Sequence, residues 1–107
     1  MADIMGLMKK AQEMQERIAD IQRELEAMEV EGAAGGGLVR VTLTGKGALK
    51  GVSIDDSLLK ADEKEILEDL LVAAHADARA KADRATEEKM KGATAGLPLP
   101  PGFKMPF

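Results

Sequence analysis

Residues 35–55 read GGGLVRVTLTGKGALKGVSID. Val39, Val41 and Leu43 alternate with Arg40, Thr42 and Thr44, the period-two pattern of a strand with one buried face. Gly45-Lys46 reads as a two-residue II′ hairpin turn. In the return run ALKGVSI, Leu49 is out of phase with Val52 and Ile54. A bulge near Gly51 puts all three on one face. Val30 begins a further strand before Gly35–Gly37, glycines that suit a turn or a close backbone approach. The reading is a three-stranded antiparallel meander with an apolar face. Something must cover that face, and a chain of 107 residues with two Phe, no Tyr and no Trp has only aliphatic material to do it.

Helical patterns flank the ribbon. Ile4, Leu7, Ala11, Met14, Ile18, Ile21, Leu25 and Met28 recur in steps of three and four, the narrow seam of a helix that touches one or two partners and is wet elsewhere. Asp3 is its expected N-cap. A second helix starts near Asp62, where Asp62 and Glu65 form a capping-box-like pair. It runs to Lys91 and is expected to stop at Gly92. Its seam opens with Ile66, Leu67, Leu70 and Leu71 and thins to Ala74, Ala78, Ala82 and Ala85. Burying a leucine is worth ~2 kcal/mol and an alanine much less. The strong packing is therefore expected at the leucine end, with the alanine end held weakly or laid close against another helix. The fold class is α+β: a long N-terminal helix, the meander and a long C-terminal helix. Residues 1–91 form one α-β-β-β-α domain, and residues 92–107 form a tail that holds all four prolines. In that tail Leu97, Leu99, Phe103, Met105 and Phe107 are candidates to dock on a groove.

The formal charge of −4 provides no bulk attraction for nucleic acid, so a cationic surface must be local. The absence of cysteine excludes disulfides, thiolate catalysis and thiolate-bound metal, and is compatible with a reducing cytoplasm. No apolar run has signal-peptide or membrane-span length, so a soluble protein without a membrane partner is expected. No enzyme is expected either. His75 is the only histidine, one ring does not make a triad, and it reads as a partly buried helix residue. Asp55-Asp56 beside Ser57 reads as a turn cap, not a metal site. Around Gly45-Lys46-Gly47 the phosphate-loop spacing fails, because residue 40 is Arg and Gly47 stands where Ser or Thr is required. No cofactor and no metal are implied.

Several stretches resemble the YbaB/EbfC family of bacterial nucleoid-associated proteins: LMKKAQEMQ, GGGLVRVTLTGKG, IDDSLL, EILEDLLVAA and the terminal LPPGFKMPF. They span nearly the whole chain in order. The resemblance implies a homodimer in which the sheets associate and the long helices project like the arms of tweezers. It also implies DNA binding that alters DNA conformation, nucleoid organisation and gene regulation, in the cytoplasm and on the nucleoid. The expected dimer interface is Val39, Val41, Leu43, Leu49, Val52 and Ile54. Candidate contacts to double-stranded DNA are Lys9, Lys10 and Arg17 on the first helix, and Arg40, Lys46 and Lys50 on the ribbon. Arg79, Lys81, Arg84, Lys89 and Lys91 on the second helix complete the set. For these helix residues an ion-paired, solvated face is the competing reading, since Asp77 and Glu88 share their stripe and Glu87 stands four residues before Lys91. Binding would be mainly to the DNA backbone, any specificity arising from DNA shape. The competing function is a dimeric adaptor for replication or recombination proteins.

Overall fold

A computed structural model describes residues 4–94; the expected cap at Asp3 and the sequence beyond residue 94 lie outside them. The order is α1 (Ile4–Ala27), β1 (Glu29–Ala34), β2 (Val39–Thr44), β3 (Leu49–Ile54) and α2 (Lys64–Thr94). The strands form one antiparallel sheet in the order β1-β2-β3, as the alternation predicted. Val39 lies opposite Ile54, Val41 opposite Val52 and Leu43 opposite Leu49, so all six share a face. The pairing jumps from Thr42↔Gly51 to Leu43↔Leu49. Lys50 is the extra residue, and the bulge expected near Gly51 is present.

The hairpin loop differs from the expected II′ turn. Neither Gly45 nor Lys46 has a positive φ, whereas Gly47 sits at +94°. The Gly47 N–H donates to the Thr44 carbonyl at 2.9 Å, and the Thr44 N–H donates to the Ala48 carbonyl at 2.8 Å. This is a three-residue loop closed by a left-handed glycine. The cause is distant in sequence. The Gly45 N–H donates to the carbonyls of Leu25 and Met28 at the end of α1 (2.9 and 3.1 Å), and a Cβ at Gly45 would come within 2.9 Å of the Leu25 carbonyl.

α2 covers the ribbon by its small residues. Ala74 and Ala78 are fully buried against Val39, Val41, Leu43 and Leu58. At Gly32 in β1 the approach is so close that an added Cβ would overlap the Ala78 nitrogen and the Ala74 carbonyl. This reverses the expected weighting of the seam. Leu67 and Leu70 are half-buried, and Ile66 and Leu71 are exposed. Ala74, Ala78 and Ala82 bury completely because a short side chain lets backbone meet backbone. Larger residues above and below are held at the rim.

The same approach closes one edge of the sheet. The Ala33 N–H donates to Asp77 Oδ2 at 3.1 Å, and Lys81 Nζ donates to the Glu31 carbonyl at 2.8 Å. Two side chains of α2 thus occupy backbone groups on the outer edge of β1, where another strand would otherwise add.

Among the described residues, α1 packs by its C-terminal half. Ile21 and Leu25 are buried with Met90 of α2, and Ile18 and Met28 flank them. Ile4 and Leu7 remain 65% and 64% exposed. This agrees with the narrow seam, which predicts a helix that touches one or two partners and is wet elsewhere. At the start of α2 the Asp62–Glu65 capping box is not formed. Asp62 falls inside a 3-10 turn, Ala61–Glu63, whose N-cap Lys60 makes no side-chain cap hydrogen bond. Asp55 is a true cap: its Oδ2 accepts from the Ser57 N–H at 3.0 Å and the Ser57 hydroxyl at 2.6 Å. The helix does not end at Gly92 but continues through it to Thr94. A helical glycine costs ~1 kcal/mol, which one residue in a long helix absorbs.

Two outcomes follow from this packing. Gly32→Ala should lower stability by ~1–3 kcal/mol through overpacking, whereas Gly51→Ala should change it by less than ~0.5 kcal/mol. At Gly51 a Cβ meets nothing within 4 Å. Urea unfolding of both variants at one fixed concentration makes the comparison. The second outcome concerns Asp77, whose carboxyl is held below the usual aspartate value of 3.8, first by the Ala33 N–H and then by Lys81. A depressed folded-state pKa stabilises the fold fully above the unfolded value, and that contribution is lost as pH falls through the folded one. Acid titration should therefore show the Asp77 carboxyl carbon shifting with a midpoint below 3.8. Asp77→Asn should flatten the fall in stability below pH ~4.

Candidate nucleic-acid interface

The cations expected to meet phosphate are placed by three elements, and most already have partners. On the outer face of the ribbon, Arg40 pairs with Glu31 at 3.0 Å and Lys50 with Glu29 at 2.8 Å. At the hairpin tip, Lys46 pairs with Glu26 of α1 at 3.3 Å. Along α2, Arg79 pairs with Asp83 at 3.2 Å, Lys81 with Asp77 at 3.4 Å, and Lys89 with Glu24 of α1 at 3.0 Å. The competing reading of an ion-paired, solvated face thus describes much of α2 in the single chain. Such exposed pairs are worth ~0–1 kcal/mol each, so a phosphate can replace the carboxylate at little cost.

The remaining cations are distributed differently. Lys9, Lys10 and Arg17 are exposed on the projecting part of α1, and none forms an ion pair with another described residue. The pair formed on α1 itself is Arg23 with Asp20. Arg84 is exposed on α2 and contributes attraction to Asp77. Lys91 is exposed near the end of α2.

Between the hairpin and α2 lies a cleft of about 290 Å³, lined by Leu25, Gly45, Lys46, Arg79, Asp83 and other residues of α2. Gly47, next in the hairpin, leaves room for Arg79, since a Cβ there would collide with that guanidinium. Asp83 and Glu87 balance the two cations there, so the cleft is a charge-compensated junction. Thr86 closes its floor, donating from Oγ1 to the Gly45 carbonyl at 3.3 Å and the Ala82 carbonyl at 3.1 Å.

The apolar residues expected at a dimer interface divide into two groups. Val39, Val41 and Leu43 are 0–1% exposed and belong to the core under α2 of their own chain. Leu49 and Val52 are 61% and 44% exposed, and Ile54 is half-buried. The reason is lateral: α2 rests on β1 and β2 and stops short of β3. A groove of about 300 Å³ results, lined by Val41, Leu49, Val52, Leu71, Val72 and His75. His75 is exposed on its wall, not partly buried. Val72, 70% exposed, is missing from every residue set drawn from the sequence. The signal was its position beside Leu71 but off the alanine stripe.

Among the described residues no three His, Cys, Asp or Glu side chains come together as a metal site. No helix among them is long and apolar enough to cross a membrane.

Comparison with known proteins agrees with this architecture. A solved structure of an uncharacterized protein, HP0035 from Helicobacter pylori, superposes with a TM-score of 0.76 at 24% identity, covering 90% of this chain and all of that one. At that identity the likeness concerns the fold. Closer in sequence is a nucleoid-associated protein of Methylocella silvestris, 64% identical over the full length of both chains. Another is a nucleoid-associated protein of Agrobacterium fabrum, 59% identical over the same span. The model of the YbaB/EbfC DNA-binding family matches residues 1–97. By that match and by full-length identity to these relatives, the chain belongs to the YbaB/EbfC DNA-binding family.

Proposed function

We propose that this protein is a non-enzymatic, nucleoid-associated protein that binds duplex DNA as a homodimer, mainly through the phosphate backbone. In doing so it alters DNA conformation and contributes to nucleoid organisation and gene regulation. Family membership supports DNA as the ligand. The structural observation that carries the reading is the separation of the cations into two classes. Lys9, Lys10 and Arg17 stand without ion-pair partners among the described residues on a helix that projects from the core. Six others, on the ribbon and α2, are held by carboxylates. The arm makes first contact, and the paired residues follow by exchanging carboxylate for phosphate.

The dimer is supported by the uncovered part of the sheet. The outer edge of β1 is occupied by Asp77 and Lys81. β3 is an edge strand too, and its apolar side opens onto the groove beside Leu71 and Val72. A second copy placing the same surface there completes the interior by two-fold symmetry. It also doubles the arms and lets them straddle a duplex. The interface of this proposal is therefore Leu49, Val52 and Ile54 with Leu71, Val72 and His75.

Duplex binding across a salt series tests the first half. Log affinity should fall linearly with log salt, by about 0.9 per phosphate contact. Lys9→Glu/Lys10→Glu/Arg17→Glu should weaken binding ~10-fold or more for all sequences and flatten that slope. An unchanged slope would move the contact surface to the ribbon and α2. No binding at low salt would favour the adaptor function. For the second half, sedimentation equilibrium at micromolar concentration should give a dimer, and Val72→Asp should give a folded monomer. A wild-type monomer would refute the dimer.

A further inference from the structure

The outer edge of β1 is covered by side chains of α2, not by a strand. The Ala33 N–H donates to Asp77 Oδ2 at 3.1 Å, the Lys81 ammonium donates to the Glu31 carbonyl at 2.8 Å, and Lys81 and Asp77 face each other at 3.4 Å. Alternate residues of an edge strand turn both their N–H and their C=O outward. Glu31 and Ala33 are therefore the outward residues at the middle of β1, and α2 engages one acceptor and one donor of that pair. The two side chains remain about half exposed, and an ion pair in that setting contributes little to stability. Its placement matters more. The Ala33 N–H is the largest influence holding the Asp77 carboxyl below its usual value, ahead of Lys81. The carboxylate is aimed at the strand.

The register of β1 shows which strand this arrangement keeps out. Glu31 and Ala33 stand symmetrically about Gly32. With β1 of a second copy laid antiparallel and Gly32 opposite Gly32, each Glu31 would stand opposite an Ala33. The Ala33 N–H of either copy would then reach the Glu31 carbonyl of the other. These are the same donor and acceptor that Asp77 and Lys81 hold. No Glu31 would face another Glu31, so like charges are not brought directly opposite each other. Gly32, Ala33 and Ala34 are small, and the flank of α2 above this edge carries exposed Ala73 and Ala80 beside Asp77 and Lys81.

We propose that Asp77 and Lys81 form a latch over a self-complementary edge, and that β1 of a second copy is the strand it excludes. Side chains of the same molecule stand in for the strand, as an intramolecular block on edge-to-edge pairing. The consequence for assembly rests on the dimer proposed above. That dimer uses β3 and α2 and leaves the β1 edge of each protomer pointing away. With both latches open, every dimer would offer a second two-fold contact at each end, and copies would join without closure. The latch confines association to one interface.

Sedimentation velocity of full-length Asp77→Ala/Lys81→Ala, with folding checked by circular dichroism, tests the latch. Its weight-average mass should climb with concentration to roughly twice the wild-type value or more. Ala33→Pro in that background removes the outward N–H and leaves the ladder to β2 intact, so it should return the mass to that of the wild type. Asp77→Asn keeps an acceptor oxygen for the Ala33 N–H and should stay at the wild-type mass. Should the double variant not fold, Lys81→Ala alone decides. It frees the Glu31 acceptor, and its mass should rise above wild type at equal concentration. A folded open-latch variant that keeps the wild-type mass, or growth that survives Ala33→Pro, would overturn the latch. A wild-type monomer whose open-latch variant stops at a dimer would support the latch and refute the β3 interface instead.

Discussion

The backbone of Gly32 rests directly on the backbone of Ala74 and Ala78, and the position of every other element follows from that contact. Because the approach is closest at β1, α2 lies toward that side of the sheet. Its Asp77 and Lys81 then reach the outer edge of β1, and its alanines close over Val39, Val41 and Leu43. The same displacement leaves β3 bare. Continued along its axis, α2 brings Met90 to Ile21 and Leu25, which fixes α1 at its C-terminal half and leaves the other half projecting. A missing Cβ at one position thus determines both the closed edge and the open one.

The electrostatics have a related logic. The chain is acidic overall, and most cations of the ribbon and α2 are paired with carboxylates of the same helix or of neighbouring elements. A polyanion approaching this surface would meet mostly cations already engaged. It would compete for them with Glu24, Glu26, Glu29, Glu31, Asp77 and Asp83. Each such exchange would yield less than a contact to a bare lysine. Lys9, Lys10 and Arg17 on α1, which have no ion-pair partner among the described residues, carry no such cost. An acidic protein can in this way present a local cationic surface that its net charge does not suggest.

Much of the fold was legible because its signals are local. The period-two alternation of residues 39–44, the phase slip at Leu49 and the heptad seam of α1 each concern neighbours in the chain. The Asp55–Ser57 cap was legible for the same reason. The hairpin type was not, since Gly45 is held by the end of a helix some twenty residues away. The weighting of α2 was not legible, because buried area ranks leucine above alanine, whereas the governing quantity is the distance between two backbones. The ion pairs show the same division. Asp77–Lys81 and Arg79–Asp83 are four residues apart and follow from helix geometry. Lys46–Glu26 and Lys89–Glu24 join segments whose proximity no spacing reveals.

The sequence by itself therefore determined the elements, their order, the apolar face of the ribbon and the seam of each helix, because side-chain periodicity is set by backbone geometry within a few residues. Only the tertiary structure decided which part of that face is core and which is surface. Val39 and Leu49 are both apolar and share one face of the sheet, yet one is fully buried and the other 61% exposed. The difference arises from the lateral position of α2, and that position depends on how closely two backbones can approach at Gly32, a steric fact between residues more than forty positions apart.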